Sequence, residues 1–225
     1  KPDAWEGVRE HTKFGPIAMQ VNAWSPETAM NEQKLFTVNV WSRGINDGKK
    51  RPVMFWLHGG GFSVGASDDP ITDGKMLAQK GDVVLVSVNH RLNIMGFLDI
   101  SAFGPQYANS ANVGMLDVVA ALQWVNKNIR NFGGDPKNIT ILGESGGGGK
   151  VGTLLSMPAA NGLFHKAIIQ SGTLLNVMTK EKSVEVGKAL AETLGLTKDN
   201  ISQINNIPYK ILVEAGNKAL EKTVG

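Results

Sequence analysis

The sequence predicts an α/β fold in which a mainly parallel sheet carries helices on both faces. Three observations carry that expectation. Short apolar runs rich in Val and Ile recur as far as residue 170, helical periodicity fills the gap before the run at 138–143, and the two glycine clusters each directly follow such a run. Strand and helix in alternation favour parallel neighbours, because each helix returns the chain to the same end of the sheet.

The first strand is expected at 35–41 (Leu-Phe-Thr-Val-Asn-Val-Trp), closed by the turn residues Gly44, Asn46 and Gly48. The run at 52–57 (Pro-Val-Met-Phe-Trp-Leu) is continuously apolar, as in a strand buried on both faces. Runs at 82–89, 138–143 and 166–170 read the same way. Between them, Met115, Leu116, Val118, Val119, Leu122, Val125 and Ile129 form one broad apolar helix face. Gly133-Gly134-Asp135-Pro136 stops that helix, with glycine followed by proline. Beyond Gly172 the pattern is helical at 183–196, 201–207 and 209–224, with Pro208 placed to open the last, and no further strand is expected.

Composition excludes several chemistries. The chain has 225 residues and a formal charge of +3. Its longest basic run is Lys49-Lys50-Arg51, so nucleic-acid binding is not expected. No apolar stretch reaches bilayer-spanning length, so no transmembrane segment is expected. Lys1-Pro2-Asp3-Ala4-Trp5 contains no apolar core of a leader peptide, which leaves the compartment open. Cysteine is absent, which removes a disulfide framework, a thiolate metal site and a cysteine nucleophile together. His11, His58, His90 and His165 never show the spacing of a helical zinc site, so no metal and no cofactor are expected.

Ser145 is the candidate nucleophile. It stands at the centre of Gly143-Glu144-Ser145-Gly146-Gly147, where a buried strand runs into a helix. A serine hydroxyl must be exposed and oriented before it can attack, and glycines two positions to either side permit the tight turn that does this. A phosphate-binding loop is the blander reading. Against it, the Gly-x-x-x-x-Gly-Lys-Ser/Thr spacing is missing, since Lys150 precedes Val151, and no acidic residue follows where a ribose needs one. The second glycine cluster, His58-Gly59-Gly60-Gly61-Phe62, follows the strand at 52–57. Successive glycines let backbone N–H groups approach a tetrahedral oxyanion; alone such a loop reads as a flexible strand end, and its combination with the nucleophile turn is what points to an oxyanion hole.

With these two clusters in place the chain resembles the type-B carboxylesterases, the carboxylesterase/cholinesterase family of the α/β-hydrolase fold, and it looks like a bacterial member. The resemblance runs through Ala4-Trp5-Glu6-Gly7, Val38-Asn39-Val40-Trp41, Val88-Asn89-His90-Arg91-Leu92 and Gly96-Phe97-Leu98. It continues through Gly114-Met115-Leu116-Asp117, Ala121-Leu122-Gln123-Trp124-Val125, Phe132-Gly133-Gly134-Asp135-Pro136, Gly143-Glu144-Ser145 and Gln170-Ser171-Gly172. It implies hydrolysis of small or aromatic carboxylic esters through an acyl-serine. Ser145 is then the nucleophile and the backbones of Gly60, Gly61 and Gly146 are the oxyanion donors. Gly146 stands where many members have alanine, and His90 where tyrosine is commonest.

A general base and an acid are also needed, and in this fold they follow the serine in the order Asp/Glu, then His. After Ser145 the only histidine is His165, at the start of a strand. His58 reads as a brace for the glycine loop, and Glu144 diverges from its neighbour at a sharp turn. The chain 1–225 therefore reads as the N-terminal part of a single catalytic domain, with 176–225 a helical segment after the nucleophile-bearing core. The triad acid and histidine, and the strands that complete the sheet, are expected in the C-terminal remainder of the same enzyme. Two other readings stay open: a catalytically silent binding module on the same scaffold, and a truncated piece that is inactive alone.

Overall fold

The computed structural model describes residues 5–7, 9–21, 29–174 and 176–224. Ala4 of the Ala4-Trp5 segment, and the first four residues on which the leader reading rests, lie outside the described residues. The chain divides into two compact units, one of residues 1–90 with 117–173 and the other of 91–116 with 174–225.

The first unit is built on a five-stranded sheet, in the order β1-β3-β2-β4-β5. These are β1 (Val38–Trp41), β2 (Arg51–Leu57), β3 (Val84–Val88), β4 (Gly134–Glu144) and β5 (Lys166–Gln170). The β3–β2, β2–β4 and β4–β5 pairs are parallel, and only the edge strand β1 runs antiparallel to its neighbour. The strand expected at 35–41 starts at Val38, because Thr37 N–H donates to the Leu35 carbonyl at 2.7 Å and turns the chain there. The run at 82–89 shortens to Val84–Val88, since Asp82 adopts φ 47° to cap α1 (Lys75–Gly81). In β2 the pairing with β4 shifts between Arg51 and Val53, where Pro52 has no N–H to give the ladder.

Helix α1 carries the chain from β2 out to β3, and α4 (Gly146–Ser156) carries it from β4 out to β5 on the other side. Right-handed crossovers in opposite directions put these two helices on opposite faces of the sheet. The strands β2 and β4 are neighbours whose connections diverge, and the carboxyl ends of such a pair leave a crevice. Phe55, Leu57, Val86, Ile139 and Ile141 fill the middle of the sheet with no exposed surface, and all of β3 is buried. Residues 117–128 of α3 (Val113–Asn128) add Val118, Leu122 and Val125, all buried. Gly133 at φ 73° closes the short turn after α3, as glycine before proline predicts. β5 forms one edge, with four of its five side chains exposed.

The second unit is helical, with α2 (Asn93–Phe97), α5 (Lys180–Thr193) and α6 (Tyr209–Val224). Leu190, Ala191, Ile201, Leu212 and Ala219 form its core, flanked by Ile94 and Phe103. Thr179 caps α5 through its hydroxyl, and Gly195 at φ 65° ends it as the Leu196 N–H returns to the Ala191 carbonyl. The helix expected at 201–207 is a 3-10 helix over Ile201–Asn206. Among the described residues, no helix is long and apolar enough to cross a membrane.

Arg51 ties the amino-terminal end of the sheet to its loops. Its Nε meets Asp82 at 2.8 Å and its Nη2 meets Asp47 at 2.7 Å. Hydrogen bonding to the guanidinium holds both carboxyls below their ordinary pKa. Such groups contribute stability above the ordinary carboxylate range and lose it as pH falls through their folded values. Arg51→Met is therefore expected to unfold at lower urea than wild type at pH 7, with the gap closing at pH 3. An equal gap at both pH values counts against this.

Candidate active site

β4 delivers the chain to Ser145, the residue before α4, with φ 54° and ψ −122°. A left-handed φ is unusual for a residue with a Cβ and costs on the order of 1–3 kcal/mol. Two bonds hold it there: Ser145 N–H donates to the Gln170 carbonyl at 2.9 Å, and the Ser145 carbonyl accepts from Gly149 N–H at 3.0 Å. Gln170 ends β5, so the turn is fixed by the neighbouring strand and by its own helix. The Ser145 side chain is exposed at the carboxyl edge of the sheet.

The glycine loop leaves β2 beside it. Gly60, Gly61 and Phe62 all take positive φ (90°, 58° and 64°), and the Gly60 carbonyl accepts from Ser63 and Val64 N–H at 2.9 and 3.1 Å. No backbone carbonyl takes the N–H of Gly60, Gly61 or Gly146 among the described residues. The loop touches the turn directly. A methyl group at Gly59 would lie 3.5 Å from Ser145 Cβ, and one at Gly146 would lie 2.6 Å from Gly61 N and 3.2 Å from Phe62 N. Gly146, Gly61 and Ser145 thus meet with no side chain between the two backbones. Alanine at 146 requires Gly61 to move, and this chain has none there.

The four-glycine start of α4 follows from the same closeness. A methyl at Gly147 would stand 2.0 Å from the Leu57 carbonyl oxygen, and one at Gly148 would stand 2.9 Å from that of Gln170. The helix therefore rests on the backbone ends of β2 and β5. The helix-propensity cost of glycine, ~1 kcal/mol each, is offset by that packing.

Beneath the loop lies a polar cluster that the sequence reading only partly anticipates. His58 is buried, and its Nδ1 lies 2.8 Å from the Gly59 carbonyl, which must accept, so the proton sits on Nδ1. Its ring stacks on His90 at 5.0 Å and 9°, which gives the histidine at position 90 a structural place. Burial, together with the nearby Lys150 charge, holds the His58 pKa well below its ordinary value. Gln20 closes the far end of the loop, donating to the Gly65 carbonyl at 3.1 Å and accepting from Gly65 N–H at 2.8 Å.

Lys150 is the residue that sequence reasoning missed. It is fully buried, and its Nζ donates to the His58 carbonyl at 2.9 Å. Burial pushes its pKa down to about 7. The signal was present: Gly147, Val151 and Leu154 mark one buried face of α4, and Lys150 falls on it at i+3 and i−4.

The other candidates lie elsewhere. His165 pairs with Ile139 in the middle of β4, its backbone N–H donating to the Ile139 carbonyl at 2.9 Å and its Nδ1 accepting from Ile139 N–H at 3.2 Å. From Ile139 the chain takes about six further steps of ~3.3 Å along the strand direction to reach Ser145. Glu144 is exposed and pairs with Gln170, and its Oε2 lies 3.3 Å from a methyl position on Gly59. His11 is exposed.

A serine on a strained strand-to-helix turn, at the carboxyl edge of a mainly parallel sheet and against a glycine loop, defines an α/β-hydrolase architecture. Comparison with known proteins narrows this. The model of the carboxylesterase family matches residues 1–224, and the chain belongs to that family. It is 39% identical to the para-nitrobenzyl esterase of Bacillus subtilis over 221 residues, 96% of this chain and 44% of the relative. It is 42% identical over 76% of its length to the fumonisin B1 esterase of Sphingopyxis macrogoltabida, covering 32% of that protein. Among solved structures, a carboxylesterase of Geobacillus stearothermophilus superposes with a TM-score of 0.84 at 46% identity, over 98% of this chain and 45% of the other. The chain thus spans less than half the length of these relatives.

Two outcomes test the packing and the buried amine. Gly147→Ala is expected to destabilise by roughly 1–3 kcal/mol through overpacking against Leu57. Gly152→Ala, whose methyl meets only Ile169 Cδ1 at 3.9 Å, is expected to stabilise by about 1 kcal/mol through helix propensity. Urea titration of both variants decides, and equal effects refute the contact. Separately, unfolding returns Lys150 to its ordinary pKa of 10.5 from about 7, so the unfolded chain binds more protons between those values. Wild-type stability relative to Lys150→Met should then rise with pH across that window, by at most about 1.4 kcal/mol per pH unit. Urea midpoints at pH 7 and 9.5 measure it, and a constant difference speaks against the depressed amine.

Proposed function

We propose that the complete protein hydrolyses carboxylic esters through an acyl-Ser145 intermediate. The observation that carries this reading is the contact between the strained Ser145 turn and the Gly59–Gly60–Gly61 loop. Ser145 Oγ attacks the ester carbonyl carbon and its proton passes to a histidine. The C=O π pair moves onto oxygen, where the N–H groups of Gly60, Gly61 and Gly146 receive it. Collapse expels the alcohol with the transferred proton, and water releases the acid by the same steps in reverse. The partial positive charge at the start of α4 favours the same oxyanion.

The histidine and its carboxylate partner come from sequence beyond this chain. The distance of His165 from the turn and the enclosed position of His58 support that assignment, as does the span of under half of each relative. The same remainder pairs along the exposed edge of β5, so that 1–225 is one part of a single catalytic domain. The substrate is a small ester without nucleic-acid or cofactor involvement. The name of one relative, a para-nitrobenzyl esterase, supports acceptance of an aromatic alcohol portion.

A fluorophosphonate probe on the complete protein tests the reading. Labelling is expected at Ser145, and Ser145→Ala should abolish it and lower ester turnover by at least about 10⁴-fold. A folded complete protein that takes no label removes the enzyme and leaves a binding module on the same scaffold.

A further inference from the structure

Lys150 occupies a place that packing alone does not account for. It lies on α4 one turn after the nucleophile turn, on the face that rests against β2. Its Nζ reaches the His58 carbonyl at 2.9 Å, immediately before the three glycines, and lies 5.5 Å from the ring centre of Phe62, immediately after them. One amine therefore contacts both ends of the loop that lies against the Ser145 turn.

We propose that Lys150 is a positioning residue for the oxyanion loop, holding His58 and Phe62 so that Gly60 and Gly61 keep their distance from Ser145. This rests on Ser145 being the nucleophile. Because Lys150 stands on the helix that follows directly from Ser145, the bond to His58 makes loop and turn move as one body. A methionine fills similar volume without taking an amine out of water, so a residue needed only as filler gains nothing from the ammonium. The His58 carbonyl is the acceptor such a donor serves, and an amine donates to it whether charged or neutral, so the tether persists on both sides of neutral pH. His58 is the titratable group facing Lys150, with His90 stacked behind it.

The test compares wild type, Lys150→Met and Lys150→Gln in the complete protein. It uses ester turnover, inhibition by the product acid, and inhibition by a trifluoromethyl ketone that forms a tetrahedral adduct on the serine. Lys150→Met is expected to lower kcat by about 10–100-fold, the scale of a small misplacement of reacting groups. KM and product-acid inhibition should stay within twofold, while ketone affinity falls by the same factor as kcat. Lys150→Gln, which keeps an uncharged N–H donor, should recover part of both losses. Folded Lys150→Met with kcat and ketone affinity within twofold of wild type overturns the proposal. So does a loss appearing in KM alone, or the failure of both variants to fold, which makes Lys150 a folding residue. Fluorophosphonate labelling of wild type is read alongside. If Ser145 takes no label, the nucleophile reading falls; if it does and Lys150→Met is unaffected, only the role of Lys150 falls.

Discussion

The site depends on one contact between main chains: the first turn of α4 resting on the carbonyl end of β2. With a methyl position on Gly147 only 2.0 Å from the Leu57 oxygen, there is no room for any side chain at that point. Removing the side chains lets the helix start sit under the strand end. The loop that continues β2 then lies against Ser145, because it leaves the strand one residue beyond the contact. The closeness of Ser145 to the glycine loop is thus set in the first place by backbone packing.

That contact falls where the sheet reverses its order of construction. β2 feeds outward to β3 and β4 feeds outward to β5, so the two adjacent strands send their following segments apart. The left-handed Ser145 is affordable at this place for a physical reason. Gln170 supplies an acceptor from the next strand, and α4 supplies a donor from its own first turn, so both backbone groups of the strained residue are satisfied. A serine in the same conformation on a free loop would relax.

Much of this was legible in the residues. Apolar runs fixed five strands to within a few positions, since a strand buried on both faces has little choice of composition. Two of the differences fall where the main chain turns: Thr37 N–H bonds back to Leu35 inside an apolar run, and Asp82 takes a left-handed conformation to cap a helix instead of opening a strand. At the site, the glycine clusters announced close backbone approach but not what approached. The partner of Gly147 is a carbonyl 90 residues earlier, and no local pattern encodes that. Lys150 was read only as a failed phosphate-loop lysine, because a cation is ordinarily assigned to solvent.

The burial of Lys150 follows from the glycines rather than contradicting the hydrophobic core. A helix that begins with four glycines leaves its first turn without side-chain volume, and the loop above it is glycine too. The first side chain available to span that gap is at position 150. It must be long, which a lysine stem satisfies, and it must end near the His58 carbonyl, an acceptor one residue past the end of β2. An apolar residue of equal length would fill the space and leave that oxygen without its donor, at about 1–3 kcal/mol. The amine gives up its hydration to meet it, and the depressed pKa of about 7 is the record of that exchange. The same sequence feature, successive glycines on both sides of the contact, therefore accounts for the exposed serine, the open glycine loop and the buried amine beneath them.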